Sequence, residues 1–95
     1  MPERIRNVPR VIHKYPLFGY GRHEVPEGDV LAIGFQADNL FAWIEHNAEW
    51  EKYGYKMNLV VFPTGYEFSE SMDPSRKHVG SAVSNDCVWH VYKVW

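Results

Sequence analysis

Residues 29–46, with the sequence DVLAIGFQADNLFAWIEH, carry the pattern that decides the fold. Their apolar side chains are spaced two apart, at Leu31, Ile33 and Phe35 and then at Leu40, Ala42 and Ile44. This spacing is typical of β-strands, and Asp38–Asn39 between the two runs predicts a tight turn. Because most positions on both faces are apolar, we expect a central hairpin with one face on the core and the other partly covered. Gly34 leaves room for a large ring from a neighbouring strand, or for a bulge.

The flanking sequence contains further short apolar runs separated by Gly, Pro, Asn and Asp. They predict additional strands at 10–15, 22–25, 55–62, 78–83 and 87–95. A tight turn is predicted at Pro26–Asp29, a long hairpin loop at 47–54, and a region without a strand at 66–77, with room for one helical turn. The fold class that follows is all-β, a small antiparallel sandwich or barrel-like sheet of about seven short strands.

Length and composition set the limits on what such a domain can do. The 95 residues fit a single domain spanning 1–95, of which 1–9 are predicted to form a loose N-terminal arm. A net charge of −2 provides neither the basic face that a nucleic-acid-binding protein needs nor the dense carboxylates of a DNA mimic. The sequence MPERIRNVPR resembles no signal or transit peptide, and no apolar run is long enough to span a membrane. We therefore expect a cytoplasmic protein with neither nucleic acid nor membrane as partner.

Several short motifs occur in a recognisable order along the chain. They are HKYPL (13–17), VPEG (25–28), Gln36, Trp43, FPTG (62–65), HVGS (78–81) and VWHV (88–91). In this order they resemble a family of uncharacterised small proteins found in phage and prophage genomes, over about residues 12–92. The resemblance implies an all-β domain of unknown function, without assigned catalytic residues, that acts in the cytosol of a host cell. The chain departs from the family pattern in a longer loop at 46–55 and in Ser81, where threonine is commoner.

The sequence contains no motif that is specific for catalysis or for a metal. No two of the five histidines have the spacing of metal ligands on one strand or helix, so we predict no metal and no cofactor. Cys87 is the single cysteine and is expected to be a buried structural thiol. The carboxylates lie mostly in predicted loops, and the GxSxG motif of serine hydrolases is absent. The sequence therefore predicts a protein that is not an enzyme.

The aromatic content points instead to binding. Phe, Trp and Tyr make up 16% of the chain, more ring area than a domain of this size easily buries. Exposed Trp and Tyr are enriched at interfaces and stack on flat ligands. The residues predicted to bind a ligand are Lys14, Arg22, Gln36, Trp43, Thr64, Gly65, Trp89 and His90.

Each of these residues has a plain alternative role. The turn Thr64–Gly65 is either a structural turn or a small anion-binding nest of backbone N–H groups, with Lys14 and Arg22 adding positive charge if they converge on it. Gln36 lies in an apolar strand, where its amide either satisfies loop backbone or points into a pocket. Trp43, Trp89 and His90 either cover a thin sheet or contact a ligand.

Two functions fit these residues. The first is a phage-type binding protein that sequesters a nucleotide-like anionic small molecule, such as a host immune signal, in a counter-defence role. The second is an inhibitor or adaptor that uses an aromatic sheet face against a host protein. A virion or structural accessory is a third interpretation, and a homo-oligomer is predicted because the surplus rings need a partner surface.

Overall fold

Seven strands and one short helix make up the part of the chain that the structure, a computed structural model, describes: residues 9–67, 76–84 and 86–94. In chain order they are β1 (Arg10–Pro16), β2 (Gly21–Pro26), β3 (Asp29–Gln36), β4 (Asn39–Asn47), α1 (Ala48–Tyr53), β5 (Lys56–Pro63), β6 (Arg76–Ser84) and β7 (Cys87–Val94). Each strand pairing is antiparallel. The predicted all-β antiparallel sandwich is confirmed.

The strands form two sheets, a three-stranded sheet of order β1-β4-β3 and a four-stranded sheet of order β2-β5-β7-β6. In the predicted central hairpin, β4 does occupy the middle of its sheet, whereas β3 is an edge strand that packs against β6 of the other sheet. Gly80 of β6 allows this approach, because a Cβ there would lie 2.6 Å from the Ile33 side chain. This packing covers one face of β3, where Ile33 and Phe35 contact the core, whereas Leu31 is 52% exposed.

The main core lies between the two sheets and follows the predicted alternation. Its buried side chains are Leu40, Ala42 and Ile44 of β4, Met57, Leu59 and Val61 of β5, Val91 of β7, Val25 of β2, and Leu17. Each fully buried side chain of the size of Leu, Ile or Val contributes roughly 1.5–3 kcal/mol to folding. A smaller cluster, Val60, Phe62 and Val94 with Tyr92 packed against it, lies on the outer face of the four-stranded sheet.

His46 is the polar side chain that this core encloses completely among the described residues. Its Nε2 lies 2.8 Å from the Tyr15 hydroxyl, and its Nδ1 lies 3.3 Å from the Asn47 carbonyl oxygen. A carbonyl can only accept, so Nδ1–H donates to Asn47 and Nε2 accepts the Tyr15 O–H. Both ring nitrogens of His46 thereby have a hydrogen-bond partner.

The predicted turn at Asp38–Asn39 was wrong by one residue. Gln36 pairs with Asn39, and the turn residues are Ala37 and Asp38, with φ of 49° and 68°. Positive φ at both central residues is the requirement of a type I′ turn, which matches the twist of a two-residue hairpin. Asp tolerates this conformation, whereas Ala does so at a steric cost.

The predicted hairpin loop at 47–54 was also wrong, because it contains helix α1. The Asn47 side chain accepts a hydrogen bond of 2.8 Å from the backbone N–H of Glu49, which is an N-cap. Gly54, with φ of 78°, follows the last helical residue in the position where glycine commonly ends a helix. The helix is much too short to cross a membrane, and no other helix among the described residues is a candidate.

Two glycines allow close approach by β4, one of them as predicted. The Trp43 ring lies over Gly34, where an added Cβ would be 3.5 Å from it, so the predicted room for a large ring is confirmed. Gly28 lies in the predicted turn before β3, and a Cβ there would be 2.6 Å from the Glu45 carbonyl oxygen. The predicted N-terminal arm lies, except for Pro9, outside the described residues, as do most of the strandless region at 66–77 and Trp95.

Arg10 connects the three strands of the first sheet at the end near α1. Its Nε donates to Glu45 over 2.8 Å, and its Nη2 donates to Asp29 over 3.2 Å. The hydrogen bond that Arg10 donates to Glu45 raises the pKa of Arg10. Desolvation lowers this pKa, and the charges of both carboxylates raise it further. The guanidinium is surface-exposed, so this contact positions strands more than it stabilises the fold.

Candidate functional site

One end of the sandwich collects loops and turns from both sheets. In the first sheet β1 and β3 end there at Pro16 and Gln36, and Asn39 begins β4. The short connection from β1 to β2 brings the second sheet to the same end, where Ser84 pairs with Cys87 and Pro63 pairs with Trp89. We call this region the loop end.

A cavity of about 270 Å³ opens at the loop end between the two sheets. The residues that line it are Leu17, Phe18, Gly19, Phe35, Asp38, Asn39, Leu40, Ser84 and Trp89. Phe18, Phe35 and Trp89 are aromatic, and Leu17 and Leu40 belong to the buried core, so the lining combines flat rings with an apolar base. Asp38, Asn39 and Ser84 add a carboxylate, an amide and a hydroxyl that can form directed hydrogen bonds.

Further aromatic rings lie close in the sequence to Phe18, one of the residues that line this cavity. Phe18, which lines the cavity, is 72% exposed, and Tyr20 two residues later is 64% exposed. The Tyr20 ring lies 5.7 Å from Tyr66, which stacks on Phe62 at 5.3 Å with an interplanar angle of 15°. These rings form a short aromatic ladder at the loop end, on the outer side of the four-stranded sheet. The surplus of ring area expected from composition is therefore concentrated partly here.

Three of the predicted ligand-binding residues lie together on the outer face of the three-stranded sheet. The Lys14 ammonium donates to the Gln36 side-chain oxygen over 2.8 Å and lies 4.6 Å from the centre of the Phe41 ring. Lys14 and Trp43 are direct partners across β1 and β4. Gln36 is exposed and bonded to Lys14, so it neither satisfies loop backbone through this contact nor points into the cavity.

Thr64, Gly65 and His90 lie instead on the four-stranded sheet. Both the N–H and the hydroxyl of Thr64 donate to the Val88 carbonyl, over 2.9 and 3.1 Å, and the Tyr66 N–H donates to Pro63 over 3.1 Å. Gly65 has a φ of 93° and closes this turn. Two of the backbone donors that an anion-binding nest would use are therefore already occupied, which favours the structural role of the turn.

The remaining two predicted residues occupy separate positions. Trp89 lies on the inner face of β7 and lines the cavity. Arg22 is the second residue of β2, pairs with Val60, and has an exposed side chain. The eight predicted residues thus divide into two groups on different sheets, plus Trp89 in the cavity and Arg22 beside the aromatic ladder. Lys14 and Thr64 belong to different sheets and do not form one anion site.

The residues that share the cavity with Trp89 were not predicted from the sequence. Phe18 lies in the loop after β1, and Asp38 lies in the turn between β3 and β4. The two residues are far apart in the sequence and share no motif. A phenylalanine placed between Pro16 and Gly19, where no strand can bury it, was the one available signal.

The described residues were also compared with the requirements of a metal site and of a reactive thiol. No three or more His, Cys, Asp or Glu side chains among them converge in a way that could hold a metal ion. Cys87 is half-buried, less enclosed than expected, and its Sγ lies 3.8 Å from the Val88 carbonyl oxygen.

Comparison with known proteins gives a family without a described activity. Residues 8–95 match the family described as "Domain of unknown function (DUF7352)". No curated protein and no solved structure matches the chain. The family match spans nearly the whole sequence, so the chain belongs to the DUF7352 family.

Proposed function

We propose that this protein is a binding protein that holds the ring of a nucleotide-like small molecule in the cavity at the loop end. The observation that carries the proposal is the lining of that cavity, in which Phe18, Phe35 and Trp89 contribute aromatic rings next to the polar groups of Asp38, Asn39 and Ser84. Rings give stacking area, and polar side chains at the opening can read the edge of a base.

The size of the cavity favours a base rather than a whole nucleotide inside it. Cavities for drug-sized ligands have volumes of about 300–1,000 Å³, and this one has about 270 Å³. A single ring system would fill it, and the sugar and phosphate would extend outward along the protein surface. Tyr20 and Tyr66, which are both exposed and whose rings lie 5.7 Å apart, offer a second stacking surface at the loop end.

Charge near the cavity constrains where a phosphate could go. Asp38 would repel it, whereas Arg22 presents an exposed guanidinium near the aromatic ladder. Arginine pairs with phosphate through two parallel hydrogen bonds. We therefore propose that the phosphate of the ligand lies on the side of Arg22 and away from Asp38.

A thermal-shift panel of mono-, di- and cyclic nucleotides with each base tests the proposal. A ligand present at 100 times its Kd stabilises a protein by about 2.7 kcal/mol. For a domain of this size that raises the Tm by roughly 10–20 °C. If no nucleotide raises the Tm at millimolar concentration, the proposed function is wrong.

Capture of a host protein on an aromatic sheet face is the second candidate function. It is favoured by the outer face of the three-stranded sheet, where Phe41 and Trp43 are only half-buried and Ile12 is 54% exposed. Native mass spectrometry separates the candidates, because it reports a co-purified small ligand, a stoichiometric protein partner and the proposed homo-oligomer in one measurement. The finer role, sequestration of a host immune signal by a phage protein in the host cytosol, is supported by the motif resemblance alone.

A further inference from the structure

A continuous chain of hydrogen-bonding side chains crosses the outer face of the four-stranded sheet. Ser81 Oγ lies 2.8 Å from His90 Nδ1 and also 2.8 Å from His78 Nε2. On the other side of the His90 ring, Nε2 lies 2.7 Å from the Thr64 hydroxyl. Ser81 and His90 are direct partners across β6 and β7, so the sheet itself holds the two side chains next to each other.

The Val88 carbonyl at one end of this row of side chains determines which group donates in each hydrogen bond. That oxygen can only accept, so the Thr64 hydroxyl donates to it. The Thr64 oxygen then accepts the Nε2–H of His90, which leaves Nδ1 of the neutral ring as an acceptor. Ser81 must therefore donate its proton to His90, and the Ser81 oxygen accepts the Nε2–H of His78.

We propose that Ser81 is a nucleophile, with His90 as its general base and Thr64 as the positioning residue that holds the imidazole in the required tautomer. The three groups have the linear arrangement of nucleophile, base and orienting group, at 2.7–2.8 Å, that activates a hydroxyl. The N–H of His78 donates to Ser81 Oγ and holds the hydroxyl in position beside His90. Ser81 is exposed, so an electrophile reaches it from solvent.

The substrate class for this chemistry is a carboxylic ester with a good leaving group. Ser81 Oγ attacks the carbonyl carbon while its proton passes to His90 Nδ1. The bond to the leaving oxygen breaks, that oxygen takes the proton from His90, and an alcohol departs. Water then attacks the acyl group on Ser81, again with His90 as base, and the acid is released with the hydroxyl restored. One ester and one water thus give one alcohol and one acid.

This inference does not rest on the proposed ligand cavity. None of Ser81, His90 and Thr64 lines that cavity, which opens between the sheets, whereas the hydrogen-bonded chain lies on an outer face. An experiment can therefore disprove nucleotide binding without disproving serine acylation, and the reverse.

Labelling of the full-length protein with a fluorophosphonate tests the proposal. In this reaction Ser81 Oγ forms a bond to phosphorus, fluoride leaves, and the proton departs through His90. Intact mass spectrometry and peptide mapping are expected to show one adduct, located on Ser81 and absent from Ser81→Ala. His90→Gln should lower the labelling rate about 100-fold or more, the size of a general-base contribution. His13→Gln, a histidine variant on the other sheet, should label like the parent protein.

A second comparison covers the case in which His90→Gln does not fold. Thr64→Ser keeps the orienting hydroxyl and should label at nearly the parent rate, whereas Thr64→Val should label more slowly and with an altered pH profile. The proposal is overturned if no adduct forms on Ser81, or if Ser81 is labelled equally fast without His90 and without the Thr64 hydroxyl.

Discussion

Ala37 adopts the left-handed backbone conformation, with a φ of 49°, in the turn that closes the cavity-lining hairpin. For a residue with a Cβ this conformation costs roughly 1–2 kcal/mol. A glycine avoids that cost but loses more backbone entropy on folding, by roughly 0.5–1 kcal/mol.

Ala37→Gly is therefore expected to raise the free energy of unfolding by about 0.5–1 kcal/mol. Urea unfolding followed by fluorescence measures the change. Ala32→Gly is the matched control, since Ala32 lies within β3 and glycine there should destabilise the fold. Equal loss of stability in both variants would show that the turn at Ala37 is unstrained.

Asp38 places a carboxylate at the cavity that is proposed to receive a nucleotide-like anion. Asp38→Asn removes this charge, and Asn tolerates the positive φ of 68° found at this position. We expect the Kd for a nucleotide to fall by about 2- to 5-fold at low salt, the range of an exposed charge interaction, and the difference to shrink as salt is added. Isothermal titration calorimetry at two ionic strengths measures it, and weaker binding by Asp38→Asn would mean that the carboxylate accepts hydrogen bonds from the ligand.

Among the elements, β1 is attached to β4 partly through the hydrogen bond between the half-buried Tyr15 and the buried His46. Tyr15→Phe leaves His46 Nε2 without this donor inside the core. An unsatisfied buried acceptor costs roughly 1–3 kcal/mol, so we expect a loss of that size in the free energy of unfolding. Tyr53→Phe, at an exposed ring, should change it by less than about 0.5 kcal/mol. Should both variants unfold at the same denaturant concentration, the Tyr15 hydroxyl does not stabilise the core.

An element could be predicted when the sequence pattern that specifies it lies within the element itself. Strands β4 and β7 follow period-two patterns, and their alternation was predicted correctly. In β3 the prediction was right for Ile33 and Phe35 but wrong for Leu31, because a bulge between Val30 and Ala32 breaks the alternation and leaves Leu31 52% exposed. Helix α1 was missed because six residues are too few to show a helical period, although its Asn47 cap and Gly54 stop are in the sequence. The hairpin turn moved to Ala37 because register, set by side-chain pairing across the sheet, outweighed the turn preference of Asn39.

Residues of the candidate sites could be predicted only where the pattern within a single strand identified them. Trp89 was identified from its place on an aromatic strand, whereas Phe18 and Asp38 reach the cavity through loops whose convergence depends on how the two sheets pack. The pairing of Ser81 with His90 required the register of β6 and β7, which includes a bulge between His78 and Gly80. A bulge shifts every later partner by one residue, so sequence spacing alone could not place these side chains together.

In the molecule as a whole, we assign the exposed rings of the loop end to ligand binding rather than to covering the sheet. Phe18→Ser removes a ring that is already 72% exposed, so folding should change little. The Kd for a bound nucleotide should rise by about 5- to 150-fold, which corresponds to about 1–3 kcal/mol for one stacked base. Leu31→Ser, at an apolar side chain 52% exposed on β3 and outside the cavity lining, is the control and should bind like the parent protein.

The central claim is that the cavity between the sheets, and not an outer sheet face, receives a flat ligand. Titration of ¹⁵N-labelled protein with guanosine and adenosine monophosphates, followed by ¹H–¹⁵N correlation spectra, tests it most directly. We expect saturable chemical-shift changes for the Trp89 indole N–H and for the backbone amides of Phe18, Asp38 and Asn39. Spectra that stay unchanged at millimolar nucleotide, or shifts confined to the outer face around Lys14 and Trp43, would contradict it.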